Sequence, residues 1–178
     1  MEMMRVDKLR KLASFIKALE NAGIYEFEID EFYNRLKLQK FVFLARSFGI
    51  ADLDYPYNMY LRGPYSPSLA DDYYELADAE NWEKYVDKRY VAKIERSKDF
   101  EKFVKLVKGR DSTWLEVAAT MVGFWKHLKR YVDLGVIKNE ELEEKIKQLT
   151  KNRKPFASLQ MINEIFESLK QYGLINTV

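Results

Sequence analysis

Tyr60-Leu61-Arg62-Gly63-Pro64-Tyr65-Ser66-Pro67-Ser68-Leu69 is the stretch on which the reading of this chain turns. It follows Leu36-Lys37-Leu38-Gln39-Lys40-Phe41-Val42-Phe43-Leu44, whose apolar spacing predicts a helix. Gly63-Pro64 predicts a turn, because proline drives the residue before it out of the right-handed helical region. Ser66 is a good helix N-cap, with Pro67 at the first helical position. Tyr57 to Leu61 reads as strand or extended chain, since aromatic residues favour that state.

Outward from this stretch the chain is mostly helical. Leu9, Leu12, Phe15, Ile16 and Leu19 form one stripe over residues 5–21, and Gly23 suits a left-handed C-cap. A second helix runs from about Asp30 or Asn34 to Phe48, with Leu38, Phe41, Val42 and Ala45 facing inward. Asp52 to Pro56 is a loop, and Asp52 and Asp54 are ordinary turn residues there. Leu69, Tyr73 and Leu76 are the buried stripe of the helix opened by Ser66. Over residues 82–95, Tyr85-Val86 and Tyr90 to Ile94 flank Asp87-Lys88 as a β-hairpin would, with helix as the competing reading. Further helices cover Ser97 to Lys108, Asp111 or Ser112 to Tyr131, Asn139 to Leu149 and Phe156 to Tyr172. The expected fold is mainly α, a multi-helical domain of six or seven helices with a winged-helix-like segment and one small β-hairpin. Residues 1–178 form a single domain, with a motif-bearing part at 5–95 and a helical C-terminal part at 97–178 packed on it.

Composition narrows the function. The chain of 178 residues has 30 basic and 28 acidic residues, net charge +2, and 15% aromatics. Bulk charge therefore does not announce a nucleic-acid binder, and any basic face has to be local. The absence of cysteine removes disulfides, thiolate catalysis and cysteine-ligated metal. No apolar run approaches the roughly 20 residues that span a bilayer, and the charged start does not read as a signal peptide, so a cytoplasmic protein is expected. Abundant Lys and Glu with no Cys and four Gln resemble thermophile usage.

Catalytic signals are missing. His127 is the one histidine, so no two-histidine zinc site forms, and no nucleophile elbow or glycine-rich phosphate loop is present. Asp71, Asp72 and Glu75 head a helix, where complementing its dipole is the plain role and metal or acid–base work the residual one. The catalytic, metal and cofactor assignment is none. Basic residues are more suggestive. Arg35, Lys37 and Lys40 lie on or near the outward side of the second helix, Arg62 sits at the bend, and Lys126, Lys129 and Arg130 cluster further on; ordinary surface charge is the alternative for all of them. Tyr55, Tyr57, Tyr60, Tyr65, Tyr73 and Tyr74 suit either core packing or an interface.

Leu38-Gln39-Lys40-Phe41-Val42-Phe43-Leu44 resembles the "LQKLvyL" helix of the SocA-like antitoxin (Panacea) family and of the related YwgA-type uncharacterised proteins. Tyr60-Leu61-Arg62-Gly63-Pro64-Tyr65-Ser66-Pro67-Ser68-Leu69 resembles that family's "Y-x-x-GPYS-x-x-L" segment. The resemblance covers residues 7–95 and implies a helical protein with a winged-helix-like middle that works as an antitoxin or adaptor. Arg62 departs from its pattern. The expected activity is non-enzymatic binding of a protein partner, a toxin or client, with a homodimer compatible with it; the alternative is a nucleic-acid-binding regulator. Acidic Asp71, Asp72 and Glu75 on the helix after Ser66 argue against DNA there. The candidate partner-binding residues are Lys37, Gln39, Lys40, Arg62 and Tyr65, with Gly63, Pro64, Ser66 and Pro67 as structural motif.

Overall fold

The computed structural model describes residues 1–50 and 53–177; Asp52 lies outside them. Among these residues are eight α-helices, α1 (Glu2–Asn21), α2 (Phe32–Ser47), α3 (Pro67–Asp78), α4 (Lys88–Glu95), α5 (Lys98–Val107), α6 (Ser112–Asp133), α7 (Leu142–Arg153) and α8 (Leu159–Gln171). Two short 3-10 turns, Trp82–Tyr85 and Asn139–Glu141, join them. A single antiparallel pair, β1 (Asn58–Tyr60) with β2 (Gly63–Tyr65), sits between α2 and α3. The fold is mainly α with one small hairpin, as the periodicity implies.

Helix α6 is the axis. Leu115 through Val122 are buried on every side, so this helix needs neighbours all round. It has them in α2, α7, α8 and strand β2, while α1 packs on α3, α4 and the first 3-10 turn. One continuous apolar cluster runs from Leu9 of α1 to Ile175 beyond α8, crossing both parts of the chain. Helix starts follow the sequence signals. Ser66, Asp87, Ser97, Asp111 and Ser158 each accept a hydrogen bond from a backbone N–H of the first turn.

The hairpin is where expectation and structure part. Residues 82–95 contain no strand. Asp87 caps α4 by accepting from Arg89 N at 2.9 Å and Tyr90 N at 3.4 Å. Val91 and Ile94 then bury at helical spacing. The capping side chain decides the segment, and the β-branched and aromatic residues around it do not overrule it. The observed order from residue 32 is helix, hairpin, helix, 3-10 turn, helix, rather than helix, strand, helix, hairpin. The hairpin's turn also falls two residues earlier than expected, at Leu61-Arg62, because Tyr60 pairs with Gly63. Pro64 pairs with Met59 at the centre of β2.

Two glycines let this hairpin lie flat on the helices. Gly63 has φ +90°, and a Cβ there would stand 2.6 Å from Thr120 Oγ1 and 3.4 Å from the Glu116 carbonyl of α6. Gly123, one turn further along α6, leaves room for Met59, whose Cε would lie 2.7 Å from a Cβ at that position.

Candidate functional site

An eight-residue hairpin, Asn58 to Tyr65, does not hold itself together in water. Side chains from α2 and the C-cap of α7 fasten this one by its backbone. Gln39 of α2 grips Ser66 on both sides: Nε2 donates to the Ser66 carbonyl at 2.9 Å and Oε1 accepts from Ser66 N at 2.9 Å. Lys40 Nζ donates to the Pro64 carbonyl at 2.7 Å. Lys154, the C-cap of α7, donates to the Leu61 carbonyl at 2.7 Å and ion-pairs with Glu116 Oε1 of α6 at 3.2 Å. The two sequence segments that carry the family resemblance thus meet each other as hydrogen-bond partners.

This overturns the placement of Lys40 on the outward side of α2. Lys40 is 1% exposed, and Gln39 equally so. Burial lowers the Lys40 ammonium from its ordinary value to about 7; the attraction of Glu116 opposes that, and repulsion by Lys154 and Arg62 adds to it. Burial likewise lowers Lys154, against its pairing with Glu116. Glu116 therefore pairs with Lys154 and attracts Lys40 at longer range beneath the hairpin, and burying charge is tolerable only with such partners.

Asp72 is corrected in the same way. It is a buried residue of α3 rather than an exposed one. It accepts from the Tyr55 hydroxyl at 2.7 Å and pairs with Arg5 of α1 at 3.3 Å. Arg5 also bonds to Glu75, while Asp71 stays exposed. The acidic set therefore ties α1 to α3, and no group of three metal-ligating side chains occurs among the described residues.

Met59 and Pro64 form one cross-strand pair; Tyr60 and Gly63, and Asn58 and Tyr65, form the pairs on either side of it. Successive pairs of a hairpin point to opposite faces, and each face here opens on a different cavity. The first is an apolar groove of about 420 Å³, lined by Phe32, Arg35, Leu36, Gln39, Lys40, Tyr60, Leu61, Arg62, Gly63, Tyr65, Tyr73 and Tyr74. Its rim is apolar and open to solvent: Leu61 is 83% exposed, and Phe32, Tyr60 and Tyr74 each about 45%. The Arg62 guanidinium lies 5.0 Å from the Phe32 ring centre, with Arg35 on the same ring at 5.8 Å. Tyr60 and Tyr65 meet edge to face at 5.4 Å. Among the described residues no carboxylate lines this groove.

Of the candidate recognition residues, Gln39, Lys40, Arg62 and Tyr65 all line the groove, the first two from its floor; half-buried Lys37 does not. Gly63, Pro64 and Ser66 are buried in the clamp, and Pro67 opens α3. Phe32 and Leu61 carry the groove's exposed apolar area and were missed by sequence reasoning. Phe32 sits at the α2 terminus, and Leu61 belongs to what looked like a strand.

The second cavity is a cleft of about 980 Å³ between α2, the hairpin, α6 and the end of α7. Arg46, Lys126, His127, Arg130 and Arg153 line it, and among the described residues no carboxylate does. Lys126 and Arg130 belong to the cluster seen in sequence, whereas Lys129 does not line the cleft. Arg46 and Arg153 come from other helices, so no local spacing could have joined them to it. No protein-family model, curated protein or solved structure matches this chain.

Proposed function

We propose that this chain is a non-enzymatic protein-interaction module of antitoxin or adaptor type, acting in the cytoplasm, whose recognition surface is the apolar groove beside the hairpin. The observation that carries the reading is the fastening of the hairpin. Side chains from α2 and α7 fix the backbone of residues 61–66, so Tyr60, Leu61 and Tyr65 are presented with their ordering cost already met. Exposed tyrosines beside arginine are the composition of binding hot spots. The partner segment carries an apolar anchor side chain next to a carboxylate. The anchor fills a groove with little polar surface, and the carboxylate meets Arg62 and Arg35, which have no acid beside them in the lining. The likeness of residues 38–44 and 60–69 to antitoxin-like proteins supports the same reading.

Photo-crosslinking from position 61 in cells of the native source identifies the partner, which is then titrated with purified variants. L61E and R62E weaken the complex tenfold or more, while K37E, outside the groove, leaves it within twofold. A partner bound equally by L61E, R62E and the unaltered chain refutes the reading. If light scattering shows a dimer that L61E dissociates, the groove is occupied by a second copy instead.

The basic cleft supports the second reading, a nucleic-acid-binding regulator. That reading requires duplex or single-stranded binding that weakens steeply with salt. No shift of either at low salt removes it.

A further inference from the structure

The cleft on the Met59–Pro64 face of the hairpin is a separate feature from the groove. Four side chains with full positive charge line it, Arg46 from α2, Lys126 and Arg130 from α6, and Arg153 from α7, with His127 alongside. Arg46 is partly committed: it donates to the Tyr55 carbonyl and pairs with Asp54 at 2.9 Å. Lys126, Arg130 and Arg153 have no ion pair among the described residues. Among the described residues, none of the side chains lining this concave wall is a carboxylate. Surface lysines and arginines are normally interspersed with acids, so the segregation asks for a ligand that brings its own negative charge.

The remaining lining is aromatic and amide. Phe43, Tyr57 and Phe124 contribute rings, and Asn152 contributes a hydrogen-bonding side chain. Phe43 and Tyr57 meet edge to face at 5.1 Å, and Lys126 Nζ stands 4.8 Å over the Phe43 ring. The Tyr57 hydroxyl is buried with no hydrogen-bond partner among the described residues. Burial also lowers the Lys126 ammonium, with repulsion from Arg46 adding to it; an arriving anion relieves both.

We propose that this cleft binds a nucleoside phosphate, with its phosphoryl groups held by Lys126, Arg130 and Arg153 and its base lying against the aromatic wall. Arginine matches phosphate oxygens in a planar fork, and two arginines reaching in from different helices grip two faces of a polyphosphate. The volume, about 980 Å³, is at the upper end of small-molecule sites, large enough for a nucleoside with several phosphates. Free nucleotides and a nucleic-acid strand share this chemistry, and the assignment here is the free nucleotide, because the four cations converge in one cavity. The proposal does not rest on the groove having a protein partner.

Isothermal titration of the full chain with ATP, AMP, inorganic tripolyphosphate and a ten-nucleotide thymidine strand tests it. The expected order is ATP tightest, with AMP and tripolyphosphate each weaker by tenfold or more, since each lacks one half of the recognised group. R130E/R153E loses at least tenfold in ATP affinity with an unchanged circular dichroism spectrum; both side chains are exposed, so the fold does not depend on them. K98E on α5, outside the cleft, leaves binding unchanged. The proposal is overturned if no nucleotide binds at millimolar concentration, if tripolyphosphate matches ATP, or if R130E/R153E binds as the unaltered chain does. A thymidine strand bound more tightly than ATP overturns the free-nucleotide assignment and returns the cleft to the nucleic-acid reading.

Discussion

Replacing Gly63 by alanine tests the hairpin's fit at its tightest point. The backbone there has φ +90°, which L side chains rarely adopt, and holding alanine in such a region costs about 1–2 kcal/mol. The new methyl would also stand 2.6 Å from Thr120 Oγ1. Thr120 cannot simply swing away, because its hydroxyl donates to the Glu116 carbonyl at 2.7 Å in the buried interior of α6. Overpacking of this kind adds about 1–3 kcal/mol, so Gly63→Ala is expected to lose about 2–5 kcal/mol in total. The two contributions separate in a double-mutant cycle. Thr120→Ala removes the clashing oxygen and leaves the backbone strain, so the pair G63A/T120A should be less destabilised than the sum by about 1–3 kcal/mol. Urea denaturation of the four proteins, followed by tryptophan fluorescence, measures every term. A G63A protein within 0.5 kcal/mol of the original, or strict additivity in the cycle, refutes the account of how the hairpin seats on α6.

Gln39→Ala leaves the N–H of buried Ser66 without a partner, while its carbonyl keeps the Ala70 N–H as donor, so a loss of about 1–3 kcal/mol is expected, read by the same denaturation. Lys40 gives the pH dependence its sign. Its ammonium is held at about 7 in the fold against 10.5 ordinarily, so between these values the unfolded chain binds the extra proton and stability rises with pH. The rise from pH 7 to 9 is about 2–3 kcal/mol, and K40M flattens it; an equal slope in K40M refutes the assignment. Tyr57→Phe deletes the unpartnered hydroxyl and is expected to raise stability by about 1 kcal/mol, seen as a higher urea midpoint.

The helices were legible because their signals are local. Ser97, Asp111 and the apolar stripes of α1 and α5 each announce themselves within a few residues. Residues 82–95 failed because Tyr, Val and Ile suit either state, and the deciding groups are the Asp87 carboxylate and Ser14 of α1, whose hydroxyl accepts from Asp87 N at 2.9 Å. Lys40 and Asp72 were misplaced for one shared reason. A charged residue reads as exposed until its partner is known, and the partners here lie far along the chain. The tyrosines divide as neither reading alone foresaw: Tyr55 and Tyr73 are core, while Tyr60 and Tyr74 stand in the groove's exposed rim. The groove was half visible in Arg62 and Tyr65, and the cleft was visible only as Lys126 and Arg130.

The Lys154 hydrogen bond to Leu61 spans 93 positions of sequence. On a ribosome, α2, the hairpin and α3 leave the exit tunnel long before Lys154 has been made. The hairpin of the nascent chain therefore waits, with the Leu61 carbonyl unclaimed by Lys154, until α7 has been synthesised and docked. On the proposed function, the groove beside the hairpin is complete only once α7 is in place.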